Sequence, residues 1–484
     1  MTDIAFCSAA ALATALRKKE IGCRELLDHY LARHDRLNPA LNAIVTLDLH
    51  VARERADEAD AALARGEHWG PLHGVPMTIK DCFETIGLRT TSGDPQHAAY
   101  VPRLDAIAVD RLAAAGAVIF GKTNLPMQAS DVQTYNALFG VTVNPWDATR
   151  TCGGSSGGAA AALAAGLTGF ELGSDIGGSI RTPSNWCGVY GHKPTYGIIP
   201  VRGHIPPPPG MLAEPDLGVA GPMGRAAEDL ALGLDVLAGP LPEDHLAWTL
   251  KLPRARHSDP RDFRVGVWFD DPAFPVDAEV RTLLDAAATA LRGSGATIDD
   301  GRPEIDLASA VRTYLQLLLP VVFAGLPNEV IDGMIAHAES APPDADDPMT
   351  RSARSATIRH RQWLFADEER ERIRARFAEF FKTYDALLLP VVPVAAIPHD
   401  HAQPVAQRHI TVNGEQRSYF DLFSWIAPAT MAYLPATVAP VGRTPGGLPV
   451  GIQIVGPYLE DRTTIALAKH LASVVGGFEA PPGY

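Results

Sequence analysis

The chain is poor in cysteine, has no long apolar run and nowhere concentrates basic residues. Each shortage removes a class of protein. Five cysteines, Cys7, Cys23, Cys82, Cys152 and Cys187, are scattered through 484 residues. They are odd in number and form no C-x-x-C pair, so they read as free thiols in a reducing compartment, not as a disulfide framework. The N-terminus has neither the basic segment nor the apolar core of a secretory signal. The small-apolar stretch at 159–170 is too short and too interrupted by glycine to span a bilayer. Lys and Arg number 42 against 56 Asp and Glu, a net charge of −14 with no basic run, so no nucleic-acid surface is expected. There is no H-E-x-x-H and no histidine cluster with ligand spacing, so neither a metal nor an organic cofactor is expected. The expectation is a cytoplasmic protein with no membrane segment. Nothing in the sequence chooses between a monomer and a homodimer.

What is present is an ordinary globular composition, 46% hydrophobic and 20% charged. No linker or repeat divides it, so one large unit over 1–484 is expected. Helices are predicted at 8–19, at 24–37 with Asn38-Pro39 as the stop, and at 48–65. A β-type run at 42–47 precedes the third helix. A strand at 75–79 ends on Lys80, and a helix at 106–116 leads to a strand at 117–120. Farther on, a strand at 265–269, a helix at 277–291, strands at 386–394, 435–441 and 450–455 and a closing helix at 461–475 continue the alternation. This is the α/β pattern, with strands buried on both faces. Two stretches depart from it. Pro206–Pro209 within 203–221 cannot be helix or central strand, and reads as a stiff surface loop or a pocket wall. Residues 339–361 are polar and read as a mobile excursion before an amphipathic helix at 362–382.

Two glycine-serine clusters, 153–158 and 177–179, bracket an alanine-rich segment. Glycine at this density fits a backbone that turns sharply or presents bare N–H groups to an anion. Two motif matches here are false. Gly116 to Thr123 fits G-x-x-x-x-G-K-[ST], but its middle is strand-like and Pro126 follows, so Lys122 and Thr123 are expected to end a core strand. Gly153 to Gly157 fits G-x-S-x-G, but no apolar strand precedes it, and none of His192, His204, His337, His360 or His399 stands in a context that singles it out as a partner.

What remains is Lys80 at a strand end with Ser155 and Ser179 in glycine-rich loops. The stretches His73-Gly-Val-Pro-Met-Thr-Ile-Lys80-Asp, Gly121-Lys-Thr-Asn124, Asn144-Pro-Trp-Asp147, Gly153–Gly158, Gly173-Ser-Asp-Ile-Gly-Gly-Ser-Ile-Arg181-Thr-Pro183, Cys187-Gly188 and His192-Lys-Pro-Thr195 together resemble the amidase signature family. The resemblance is strong over about 70–230 and weaker elsewhere. It implies one α/β domain with a mixed, mostly parallel central sheet covered by helices on both faces. Residues 325–382 would be an excursion, and 383–484 a pocket wall with closing strands and helix. It implies a triad of Ser179 as nucleophile, Ser155 as relay after a cis Gly154–Ser155 bond, and Lys80 as base. The chemistry is consistent with this. A buried lysine loses charge, can take a proton from Ser155 as Ser155 takes one from Ser179, and can return it to the leaving amine. The N–H groups of Ile176, Gly177, Gly178 and Ser179 are expected to form the oxyanion hole. Ser156 is expected to hydrogen-bond locally, Asp175 and Arg181 to be an ion pair or loop clamp, Cys82 and Cys187 to be core, and Asp81 to turn the backbone.

The family includes the A subunit of tRNA-dependent amidotransferases, which hydrolyses glutamine held by an acidic and a basic side chain from its C-terminal half. That subunit usually reads Met-Asp-Glu-Phe after Gly-Lys-Thr-Asn, whereas this chain has Leu125-Pro-Met127-Gln128. Its stretch 423–435 carries no charge. Met127, Gln128, Ile205, Met211, Trp425, Ile426, Met431 and Tyr433 are therefore expected to line a pocket for a small neutral amide, hydrophobic or aryl. Anilides, esters and carbamates lie within reach of the same acyl-serine. The alternative is the glutamine-hydrolysing A subunit, which works with partner chains. A non-catalytic binding protein fits least, since all three triad positions are filled.

Overall fold

Capping side chains start the N-terminal helices where the periodicity places them. Ser8 accepts from the Ala11 N–H and opens α1, Ala9–Arg17. Next, α2 is Cys23–Leu41 and runs through Pro39 instead of stopping before it. The exit is built by Asn38, whose side chain accepts from the N–H groups of Ala43 and Ile44 at 2.9 Å each. Asn42, in the left-handed region, ends the helix. The strand β1, Ile44–Leu47, leads to Asp48, which caps α3, Leu49–Ala64.

The computed structural model describes residues 3–345 and 347–484, so Met1, Thr2 and Asp346 (the last within the expected excursion) lie outside the described residues. After α3 come β2 (Pro76–Lys80), α4 (Ile107–Ala114), β3 (Val118–Thr123), α5 (Gly157–Ala164), β4 (Glu171–Asp175), α6 (Arg181–Cys187), β5 (Tyr190–Lys193) and β6 (Val219–Gly224). The chain continues through α7 (Ala227–Leu237), β7 (Arg264–Val267), α8 (Ala278–Gly293), β8 (Thr297–Asp299), α9 (Leu307–Val322), α10 (Asn328–Ser340), α11 (Pro348–Ala356) and α12 (His360–Phe380). It closes with β9 (Ala386–Pro390), α13 (Ala427–Met431), β10 (Ala436–Arg443), β11 (Pro449–Val455) and α14 (Asp461–Val475).

These strands form one eleven-stranded mixed sheet in the order β1-β3-β2-β4-β6-β5-β10-β11-β9-β7-β8. Pairing is parallel for β2 with β3 and β4, and for β7 with β8 and β9. The intervening pairs are antiparallel. Every residue of β2, β4, β6, β9 and β11 is buried, with no period-two exposure, as helices on both faces require. Lys122 and Thr123 end β3 in the core, as the false phosphate-loop match implied. Among the described residues no helix is long and apolar enough to cross a membrane.

The 339–361 stretch is more ordered than expected, since it holds the end of α10 and all of α11. Asp347 accepts from the N–H groups of Met349 and Thr350, and Pro348 occupies the first turn. Its Asp-Pro pair is a helix start that reads like a loop in sequence. The 203–221 stretch divides. Ile205 is buried, with its N–H on Cys82 O at 2.8 Å and its carbonyl accepting from Ser92 Oγ at 2.7 Å. Met211 and Leu212 beyond it are exposed. The first part is thus a wall and the second a surface loop.

Candidate active site

Parallel pairing brings the candidate groups to one edge of the sheet. β2 and β4 align Thr78 with Glu171 and Ile79 with Leu172, so both strands leave at the same side. Lys80 ends β2 and is fully buried. Its Nζ lies 2.6 Å from Ser155 Oγ and 2.9 Å from Ser174 Oγ. Burial pulls the lysine down to about 8, with the Asp175 charge opposing.

Ser155 follows a cis Gly154–Ser155 peptide bond. A Cβ on Gly154 would sit 2.7 Å from the Asp131 carbonyl oxygen, so the turn admits only glycine there. The Ser156 N–H donates to the Ser179 carbonyl at 3.0 Å and ties the two turns together. Ser156 Oγ donates to the Ser174 carbonyl, so its hydrogen bonding spans β4 and is not local. Asp81 turns the backbone as expected, accepting from the Thr91 N–H at 3.1 Å.

Asp175 organises the turn that carries Ser179. Its carboxylate accepts from Gly178 N–H and Ile180 N–H, each at 3.0 Å, and pairs with Arg181 at 2.8 and 3.0 Å. Burial pushes this carboxyl up, but the Arg181 charge and hydrogen bonds outweigh it and hold it at about 2. Arg181 extends the clamp to the Ile426 carbonyl and Gln453. One expectation is thereby corrected: the Gly178 N–H is committed to Asp175 and leaves the oxyanion set. The N–H groups of Ile176, Gly177 and Ser179 find no acceptor among the described residues. Gly178 stays essential for another reason. Its φ is +88°, and a Cβ there would lie 2.8 Å from Thr182 Oγ1.

The expected pocket set splits. Ile426 lies against the turn, its Cγ2 3.3 Å from where a Gly178 Cβ would stand, and Ile205 lies beside the exit of β2. Trp425 packs edge-on to Trp268 at 5.8 Å, and Met431 is fully buried in α13, so both belong to the core. Tyr433 stacks on Tyr196 at 4.3 Å and donates to Asp216, with Arg370 over its ring, none of them among the triad's contacts. Gln128 donates to Asp94 Oδ2 at 2.5 Å, while Met127 and Met211 are half exposed. In a helical turn, neighbouring residues point in different directions, so an apolar stretch does not make one wall. A cleft of about 690 Å³ lined by Arg256, Arg374, Phe381, Leu434 and Tyr458 holds none of Lys80, Ser155 and Ser179.

Four neighbours of the site went unassigned in the sequence. Phe423 reaches within 3.0 Å of a Gly177 Cβ position. The Tyr314 hydroxyl donates to the Ile176 carbonyl at 2.8 Å. Ser174 bonds Lys80, and His204 Nε2 lies 2.9 Å from Ser174 Oγ. Ser174, Phe423 and His204 stand in stretches already singled out; Tyr314 carries no local signal.

A model of the family described as Amidase matches residues 25–465. The chain belongs to the amidase family. As an amidase it is a hydrolase of carbon–nitrogen bonds. It is 34% identical over 482 residues to the glutamyl-tRNA(Gln) amidotransferase A subunit of Prochlorococcus marinus (strain MIT 9303), with 94% of each chain covered. Among solved structures it is similar to 6-aminohexanoate cyclic dimer hydrolase, with a TM-score of 0.80 and 27% identity over 100% of this chain and 99% of that one. The glutamyl-tRNA(Gln) amidotransferase A subunit of Thermotoga maritima gives a TM-score of 0.79 and 25% identity, covering 99% of this chain and 98% of that one.

Proposed function

We propose that this amidase cleaves a carboxamide through an acyl-Ser179 intermediate. The observation that carries the reading is a fully buried lysine whose side-chain hydrogen-bond partners are two hydroxyls, with Ser155 Oγ at 2.6 Å. Neutral Lys80 takes the Ser155 proton as Ser155 takes that of Ser179, and Ser179 Oγ adds to the carbonyl carbon. The N–H groups of Ile176, Gly177 and Ser179 receive the oxyanion. The proton passes back along the relay to the departing nitrogen, and water then repeats the addition at the acyl-serine, releasing acid and restoring Ser179.

For the substrate, the sequence relatives favour glutamine over a free neutral amide. On that reading the chain is an A subunit that hydrolyses glutamine and hands on ammonia beside partner chains. One observation supports a second reading. Phe423 and Ile426 stand against the turn that carries Ser179, and both are apolar. Such surroundings suit a neutral aryl or alkyl amide, anilide, ester or carbamate.

Ammonia or amine release by the isolated chain is measured with glutamine and with a panel of aryl amides, anilides and carbamates. Ser179→Ala is expected to lose on the order of a thousandfold or more in turnover; full turnover in that variant overturns the acyl-Ser179 reading. Glutamine preference that rises with added amidotransferase partner chains supports the A-subunit reading. Aryl amide turnover by the chain alone, with glutamine untouched, replaces it with the second.

A further inference from the structure

A chain of hydrogen bonds continues outward from Lys80. Lys80 Nζ lies 2.9 Å from Ser174 Oγ, Ser174 Oγ lies 2.9 Å from His204 Nε2, and His204 Nδ1 lies 2.7 Å from the Pro206 carbonyl oxygen. The last group can only accept. Nδ1 therefore carries a hydrogen, and in a neutral imidazole Nε2 is then an acceptor. Burial, with the Lys80 charge adding to it, drops His204 to about 4, so the ring is neutral near pH 7. Ser174 spends its one hydrogen on Nε2 and offers Lys80 only lone pairs. A neutral amine that donates to Ser174 keeps its single lone pair for the Ser155 hydroxyl.

We propose that His204 is a positioning residue: acting through Ser174, it sets the direction of this hydrogen-bond chain so that the Lys80 lone pair faces Ser155. The proposal rests on the acyl-Ser179 reading. The titratable groups facing the chain are Lys80 from β2, Cys82 just after it and Asp175 at the end of β4. Cys82, whose Sγ is 3.9 Å from Ser174 Oγ, is kept a thiol by burial, at about 11. Asp175 is paired with Arg181. The Phe83 ring meets the imidazole edge-to-face at 5.1 Å. Without the imidazole, the Ser174 hydrogen turns to the Lys80 lone pair and competes with Ser155.

The readout is the rate at which a fluorophosphonate probe modifies Ser179 in the full chain, followed by intact mass across about pH 6 to 9. His204→Ala is expected to slow labelling about tenfold or more, and to add nothing in a Ser174→Ala background. His204→Gln, whose amide accepts and donates at once, is expected to label within about threefold of the unaltered chain. It also decides the matter should the alanine variant not fold. Labelling by His204→Ala within twofold of the unaltered chain, equal slowing in both backgrounds, or His204→Gln as slow as Ser174→Ala each overturns the proposal. Labelling that survives in Ser179→Ala overturns the acyl-Ser179 reading instead.

Discussion

In its proposed role Lys80 is a base only when neutral, and its surroundings decide when that is. An exposed lysine titrates near ~10.4, whereas burial brings Lys80 to about 8. The protonated form is inactive, so kcat/KM on a neutral amide is expected to rise about tenfold per pH unit and level off above about pH 8. A pH profile free of that limb removes Lys80 from the role. Lys80→Arg stays charged throughout and is expected to be inactive at every pH. The same shift has a cost in stability. Between about 8 and ~10.4 the unfolded chain binds the proton and the folded one does not, so stability rises with pH across that window. At this scale the reactive residue types were legible in the motifs. The loss of the Gly178 N–H to Asp175 was not, because it depends on where Arg181, itself held by the Ile426 carbonyl and Gln453, places the carboxylate.

The helix α5 shows how an element places a residue. Its sequence, Gly-Gly-Ala-Ala-Ala-Ala-Leu-Ala, is buried on every side, which its small side chains allow. A Cβ on Gly158 would sit 2.4 Å from Asn124 N and 2.5 Å from Asn124 O. Both atoms are backbone just beyond β3, so neither can yield without moving the strand's exit. Gly158→Ala is expected to cost about 1–3 kcal/mol in a urea titration. Activity is expected to fall further than unfolding explains, since Ser155 rides at the start of α5. Wild-type stability in that variant would show that the helix has room to shift. Helices and strands with strong periodicity or clear caps, such as α1, α3, α8 and α14, were readable from the chain. The α11 start at Asp347-Pro348 was not, because the same pair serves turns and helix caps alike.

At the scale of the whole molecule, distant segments are held together beneath the candidate site. Arg408 Nη1 lies 2.6 Å from Asp131 Oδ2, and Tyr419 donates to Asp131 Oδ1 at 2.7 Å. The Asp131 carbonyl in turn fills the space a side chain at residue 154, ahead of Ser155, would need. Arg408→Ala leaves a buried carboxylate without its cation and is expected to destabilise by about 3–5 kcal/mol, read as a lower urea midpoint. A change under about 1 kcal/mol would mean that Asp131 finds other partners. Residue type and chain order were enough to propose the chemistry of the site, because a hydroxyl, an amine that burial can neutralise and bare glycine amides are local properties. They also set the α/β class, through the period of the apolar positions. The walls of the pocket, the split of its expected members and the Ser174–His204 path arise from contacts between residues tens to hundreds of positions apart. Those contacts exist only once β2 lies beside β4 and α9 and the 423–426 turn close over them, and no local pattern encodes such pairings.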